Sequence, residues 1–172
     1  MKAIFSTLIL LLSLSASAQF KYLQSGNYIL RFDTTAISHT PMSEGPENSF
    51  EFRSIANGNL YVKTYYESVF LFNAALAAGN ISQISTTGVY LITCPTTITT
   101  TKGILLGQLY LEYSTNTHTV GKINNDIYTL TRISDGRLIC EIYPTRNNAI
   151  FWHVAPTTIQ TLGSGIKRIV VP

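Results

Sequence analysis

The run KGILLGQLYLEY, residues 102–113, decides how this chain folds. Ile104, Leu105 and Leu106 lead into Gly107, and Leu109, Tyr110 and Leu111 follow Gln108. A continuously apolar stretch is either a strand buried on both faces or a buried helix, and periodicity alone does not separate the two. The surrounding composition favours strands. Ten Tyr, eight Phe and many Ile, Val and Thr suit a pleated, half-buried surface.

Two hairpins are marked by their turns. SFEFRSIANGNLYVKTYY (49–66) sets Asn57-Gly58 between two strand-like runs, and IYTLTRISDGRLICEIY (127–143) sets Asp135-Gly136 between two more. Asn-Gly and Asp-Gly supply the positive φ angles that tight hairpin turns need. Further strands are expected at 20–32, 88–94, 148–154 and 166–171. The segment 67–79 ends in Ala-rich sequence and Gly79, the mark of a helix C-terminus, so it stays ambiguous like 102–113. Residues 34–48, with Pro41, Gly45 and Pro46, read as a loop, and TTITTT (96–101) as an edge or linker. No internal repeat and no domain boundary emerges from this reading. The tail from Pro156 reads as an extension that adds an edge strand.

The first residues, MKAIFSTLILLLSLSASAQF, combine Lys2, a short apolar run and Ala16-Ser17-Ala18. This is the pattern of a secretory signal peptide, 1–18, cleaved before Gln19. The run is well short of the roughly 20 apolar residues that a spanning helix needs, so no stable membrane insertion is expected. Residues 19–172 then form one domain, secreted or periplasmic. Charged residues are only 12% of the chain, with a formal net charge of +3. Lys and Arg are scattered, whereas a nucleic-acid binder clusters them against phosphates, so no nucleic acid is expected as a partner.

Candidate chemistry is sparse. His39, His118 and His153 lie far apart without metal-ligand spacing. Asp33, Asp126 and Asp135 sit beside turns, where Asp has a structural reason to be. We therefore assign no catalytic, metal or cofactor-binding residue and expect no cofactor. The two cysteines, Cys94 and Cys140, both follow core-like alternation. In an oxidising compartment two cysteines tend to pair, and a Cys94–Cys140 disulfide would contribute ~4 kcal/mol in the chain-entropy model. Two buried free thiols, or a reactive thiol beside His118 or His153, are the alternatives. Asn80-Ile81-Ser82 is an acceptor triplet for N-glycosylation. Tyr61, Tyr65, Tyr66, Phe70 and Phe72 are dense enough either to fill a core or to line a ligand pocket.

The order of these features resembles the META/HslJ-like domains. LQSGNYIL (23–30) matches their opening element with Tyr28 where Trp is usual, and FEFRSIANGNLYV (50–62) matches their F-x-F…G hairpin. AGNISQISTTGVYLITCP (78–95) is similar to their T-x-x-x-C run, and 127–143 to their terminal L-T-L…D-G hairpin. The G-C-N motif of many members is absent, and Cys140 has no counterpart in the pattern. The resemblance implies a curved antiparallel sheet with packed helices, including one over 102–113. It also implies an envelope, stress-tolerance or host-facing setting and transfers no catalytic residue. The expected fold is mainly β: a curved antiparallel sheet or partly open barrel with one or two short helices. The expected role is non-enzymatic, with an unknown protein or a small apolar ligand as partner. A lipocalin-like carrier and a secreted inhibitor acting through loop 34–48 are the rival readings.

Overall fold

A computed structural model describes residues 19–42, 49–65, 69–84, 88–124, 127–144 and 149–172. The expected signal peptide, Tyr66 and Asp126 lie outside these residues. The fold is mainly β, and its sheets do not close into a barrel. Among the described residues the strands are β1 (Phe20–Ser25), β2 (Tyr28–Asp33), β3 (Ile37–Pro41), β4 (Phe50–Ser54), β5 (Leu60–Tyr65), β6 (Val69–Phe72), β7 (Ile81–Gln83) and β8 (Tyr90–Thr93). They continue as β9 (Thr101–Leu106), β10 (Leu109–Ser114), β11 (His118–Asn124), β12 (Ile127–Arg132), β13 (Leu138–Tyr143), β14 (Ala149–Trp152), β15 (Thr158–Thr161) and β16 (Lys167–Val170).

Three sheets stack in layers. The central one has eight strands in the order β15-β16-β10-β9-β6-β5-β4-β3. A sheet of order β1-β2-β8-β7 covers one of its faces through a core containing Leu30, Phe52, Phe70, Ile92, Leu105 and Tyr110. A sheet of order β11-β12-β13-β14 covers the other through Val69, Ile104, Leu106, Leu111, Leu130 and Ile142. The strands in the middle are thus buried on both faces, which is why their sequence loses its alternation. Residues 102–113 are the β9–β10 hairpin, turning at Gly107 and Gln108, and not a helix. In 67–79 the described residues form β6 and then a single 3-10 turn, Ala78–Asn80, begins.

The chain is also an internal duplication, contrary to the sequence reading. β1 to β8 build sheets of order β1-β2-β8-β7 and β3-β4-β5-β6, and β9 to β16 build β9-β10-β16-β15 and β11-β12-β13-β14 in the same order. The match extends to single hydrogen bonds. Ile55 N donates to Ala36 O and Ile133 N to Thr117 O, both at 2.9 Å. Tyr90 N donates to Asn27 O at 2.9 Å, and Lys167 N to Gln108 O at 2.8 Å. Both β4–β5 and β12–β13 shift register at the equivalent place, between Phe52 and Arg53 and between Leu130 and Thr131. With these anchors SIANGNLYV (54–62) falls on RISDGRLIC (132–140), and ITCP (92–95) on IVVP (169–172). Residues 96–100 link the two halves, and β6 pairs antiparallel with β9 to fuse them edge to edge.

Other boundaries move accordingly. The expected strand 20–32 is a hairpin, β1–β2. The expected loop 34–48 contains β3, and its residues 43–48 lie outside the described ones. The tail after residue 155 adds the expected edge strand as β15, and β16 beside it lies parallel to β10 inside the central sheet. Gly103 on β9 shows how tightly the seam is built. A Cβ there would fall on the Tyr110 ring, whose hydroxyl accepts a hydrogen bond from Leu76 N at 2.8 Å.

Candidate functional site

The two cysteines occupy different cores, Cys94 the first and Cys140 the second, and both are free and buried. The expected disulfide is therefore not formed. Burial pushes each thiol up to about 12, far from the thiolate that nucleophilic chemistry needs. The duplication gives the reason for their presence. Cys94 stands where the second half has Val171, and Cys140 where the first half has Val62, which is itself fully buried. Each cysteine fills a valine-sized space in a core.

The three histidines are held apart. His39 lies on β3, not in a loop, with its ring 5.2 Å from that of Phe32 and 6.1 Å from that of Phe52. His118, only 5% exposed, has Nδ1 2.9 Å from Thr117 Oγ1 and Nε2 2.8 Å from Pro172 O. Pro172 O can only accept, so Nε2 donates to it. His153 sits 3.9 Å from Glu141 Oε2, which also accepts from the Tyr143 hydroxyl at 2.7 Å. Among the described residues no three His, Cys, Asp or Glu side chains are grouped as metal ligands. No helix of these residues is long and apolar enough to cross a membrane.

Asn80 closes the 3-10 turn, where its Oδ1 accepts from Ala77 N at 3.1 Å, and the following Ser82 is exposed. Asp33 and Asp135 both serve turns, accepting from Thr35 N at 2.9 Å and from Arg137 N at 3.2 Å. Of the dense aromatics, Phe70 and Phe72 are buried and Tyr61 packs against the same core, so they fill it.

What the fold assembles instead is a cleft of about 490 Å³ beside the seam. Lys63 reaches it from β5, Asn73 from the end of β6, Lys102 from β9, Tyr113 from β10, His118 and Lys122 from β11, and Tyr128 from β12. Its apolar wall includes Leu60, Leu71 and Val120. No Asp or Glu is among the described residues lining it. Lys63 Nζ pairs with Glu51 Oε1 at 2.8 Å, and this contact, aided by Arg53, holds the Glu51 carboxyl below its usual range. Lys102 Nζ donates to Asn73 Oδ1 at 2.9 Å, and Lys122 Nζ lies 5.1 Å from the centre of the Tyr128 ring. Burial pushes the Tyr113 phenol up to about 12, so it stays a protonated donor.

No family model, curated protein or solved structure matches this chain. The cleft therefore has to be read from its own chemistry. Sequence reasoning missed it because Lys63, Lys102 and Lys122 come from separate strands, and only the seam between the halves brings them together. The signal that could have exposed the seam was the pair of hairpins, had SIANGNLYV and RISDGRLIC been aligned with each other.

Proposed function

We propose that this protein is a secreted, non-catalytic β module that binds a small amphipathic anion in the cleft between its halves. The observation that carries the reading is the convergence of Lys63, Lys102 and Lys122 on a partly apolar cleft lined by no described carboxylate. Lysines and the apolar Leu60, Leu71 and Val120 in one lining suit a carboxylate or phosphate on an apolar body. The non-catalytic part is supported by the buried cysteines and by histidines engaged in separate structural contacts. An envelope, stress-tolerance or host-facing setting follows from the signal-like first residues and the META/HslJ-like resemblance. The lipocalin-like alternative finds less support, because the sheets are not closed into a barrel and Tyr61, Phe70 and Phe72 pack in a core.

The test is titration of isotope-labelled protein with decanoate, using decanol as the neutral match. Decanoate is expected to shift the amides of Tyr113 and Gly121 more than decanol does. Lys102→Met with Lys122→Met is expected to abolish the difference. Equal shifts from both compounds, or none from either, would refute an anion site. Intact mass of the protein from its native source tests the secretion: loss of residues 1–18 is expected.

A further inference from the structure

The seam joining the halves has two unused counterparts at the ends of the molecule. β6 pairs with β9 in the register Val69↔Leu106, Phe70↔Leu105, Leu71↔Ile104, Phe72↔Gly103. By the duplication, β14 is the second half's β6, and β1 is the first half's β9. Among the described residues β14 pairs only with β13 and β1 only with β2, so each has one edge that no described strand covers. We infer that a second copy of this chain docks here, β14 of one molecule pairing antiparallel with β1 of the next. The equivalent register is Ala149↔Ser25, Ile150↔Gln24, Phe151↔Leu23 and Trp152↔Tyr22.

Three observations support this occupant. The first is burial. Phe151 is 59% exposed, whereas its counterpart Leu71 packs into the second core. Tyr22 is 61% exposed and stands where Gly103 meets Phe72. Ile84 is 52% exposed, whereas its counterpart Leu162 is buried in the first core. These large apolar side chains are open because the neighbour that covers their counterparts is missing at the ends of the molecule. The second is charge. Inside the chain, Lys63 and Lys102 line one cleft at the seam. Their counterparts between molecules are Glu141 and Lys21, which are opposite in sign. The third is the edge itself. β14 reads Ala-Ile-Phe-Trp, with no proline and no charge of the kind that blocks strand addition.

The contact is heterologous, because β14 and β1 are different surfaces. It therefore builds head-to-tail chains or rings, not two-fold dimers. Each added molecule extends the β11-β12-β13-β14 sheet with a β1-β2-β8-β7 sheet, repeating the central eight-stranded sheet along the assembly.

Sedimentation of the protein from a secreting host, over a range of concentrations, tests this with two variants. Phe151→Glu blocks β14 beside Glu141, and Tyr22→Glu blocks β1. Wild type is expected to grow beyond a dimer with concentration, and each variant alone to be monomeric. An equimolar mixture of the variants is expected to give a heterodimer and nothing larger, since the Tyr22→Glu chain keeps a free β14 and the Phe151→Glu chain a free β1. That heterodimer also shows that both variants are folded. Wild type that stays monomeric up to millimolar concentration overturns the inference. Loss of assembly in Phe151→Glu alone, with Tyr22→Glu unaffected, also overturns it, because β14 would then pair with itself.

Discussion

The two halves share strand order, turns and bulge position, yet they differ wherever one of them has a neighbour. β6 is covered on both faces: Val69 and Phe70 have no exposure, and Leu71 packs against the second core. Its counterpart β14 has one covered face and pairs, among the described residues, only with β13, and Phe151 faces solvent. β9 is pinned between β6 and β10 and carries Gly103 beneath the Tyr110 ring, whereas β1 carries exposed Tyr22 at the same place. Topology alone therefore does not set which side chains a strand holds. The number of faces and edges that are covered sets it, and the seam between the halves is where the constraint is greatest.

The comparison breaks most readily at Phe70. This ring is fully buried, edge-on to Tyr28 at 5.6 Å between ring centres. Phe70→Ala is expected to lose about 3–5 kcal/mol in urea denaturation, the usual range for a core phenylalanine. The counterpart Ile150 is only partly buried, and Ile150→Ala is expected near the lower end for such truncations, about 2 kcal/mol. Equal losses would mean that the seam adds nothing. Gly103→Ala comes next. Its Cβ would displace the Tyr110 ring and strain the hydrogen bond to Leu76 N, so a loss of about 1–3 kcal/mol is expected. Tyr22→Ala at the equivalent exposed site is expected to stay within about 0.5 kcal/mol at a concentration where the protein is monomeric.

These contrasts explain what sequence reading could reach. The hairpins at Asn57-Gly58 and Asp135-Gly136 were readable because their turns need glycine at positive φ, 71° and 68° here. The outer strands were readable because one face is wet: β2 alternates buried and half-buried residues, with Leu30 and Phe32 inward. Residues 102–113 were not, because coverage on both faces erases the alternation that separates strand from helix. The duplication was hidden for a related reason. Equivalent sites meet different neighbours, so Ile37 in one half is His118 in the other, and Tyr22 is Gly103. Identity survives at turn glycines, as at Gly58 and Gly136, and at scattered apolar positions such as Ile55 and Ile133 or Leu60 and Leu138. The cleft was hidden because its lysines belong to strands that only the seam brings together.

The cysteines sharpen the comparison with a smaller effect. If each fills the space its sister half gives to valine, Cys94→Val and Cys140→Val should each change stability by less than about 1.5 kcal/mol, as volume-conserving core exchanges do. Alkylation in the native protein should be slow at both positions and become complete on unfolding, with or without reductant. Rapid native alkylation at either would contradict its place in the core, and protection after unfolding that reductant removes would restore the disulfide.

The smallest expected effect lies at the second hairpin. Arg132 Nη2 meets Asp135 Oδ2 at 2.5 Å, and the first half has Ser54 and Asn57 at these places. The hydrogen bond from Arg132, joined by the backbone N–H of Arg137, lowers the Asp135 carboxyl from 3.8 to about 2. A carboxyl lowered by folding adds stability above its unfolded value, and that contribution is lost as pH falls through the folded value. Its window is therefore between about 4 and 2. Asp135→Asn keeps an acceptor for the turn, as Asn57 Oδ1 accepts from Asn59 N at 3.0 Å, and removes only the charge. At pH 7 the variant should melt slightly below wild type, because the pair is exposed and water screens it. The gap should close as pH falls from 4 to 2. Asn57→Asp in the first half has Ser54 where the second has Arg132, and keeps only the backbone hydrogen bond from Asn59 with Arg53 held on Gly58 O, so it should show a smaller gap. A pH-independent difference at Asp135 would assign its role to turn geometry, making the two hairpins equivalent after all.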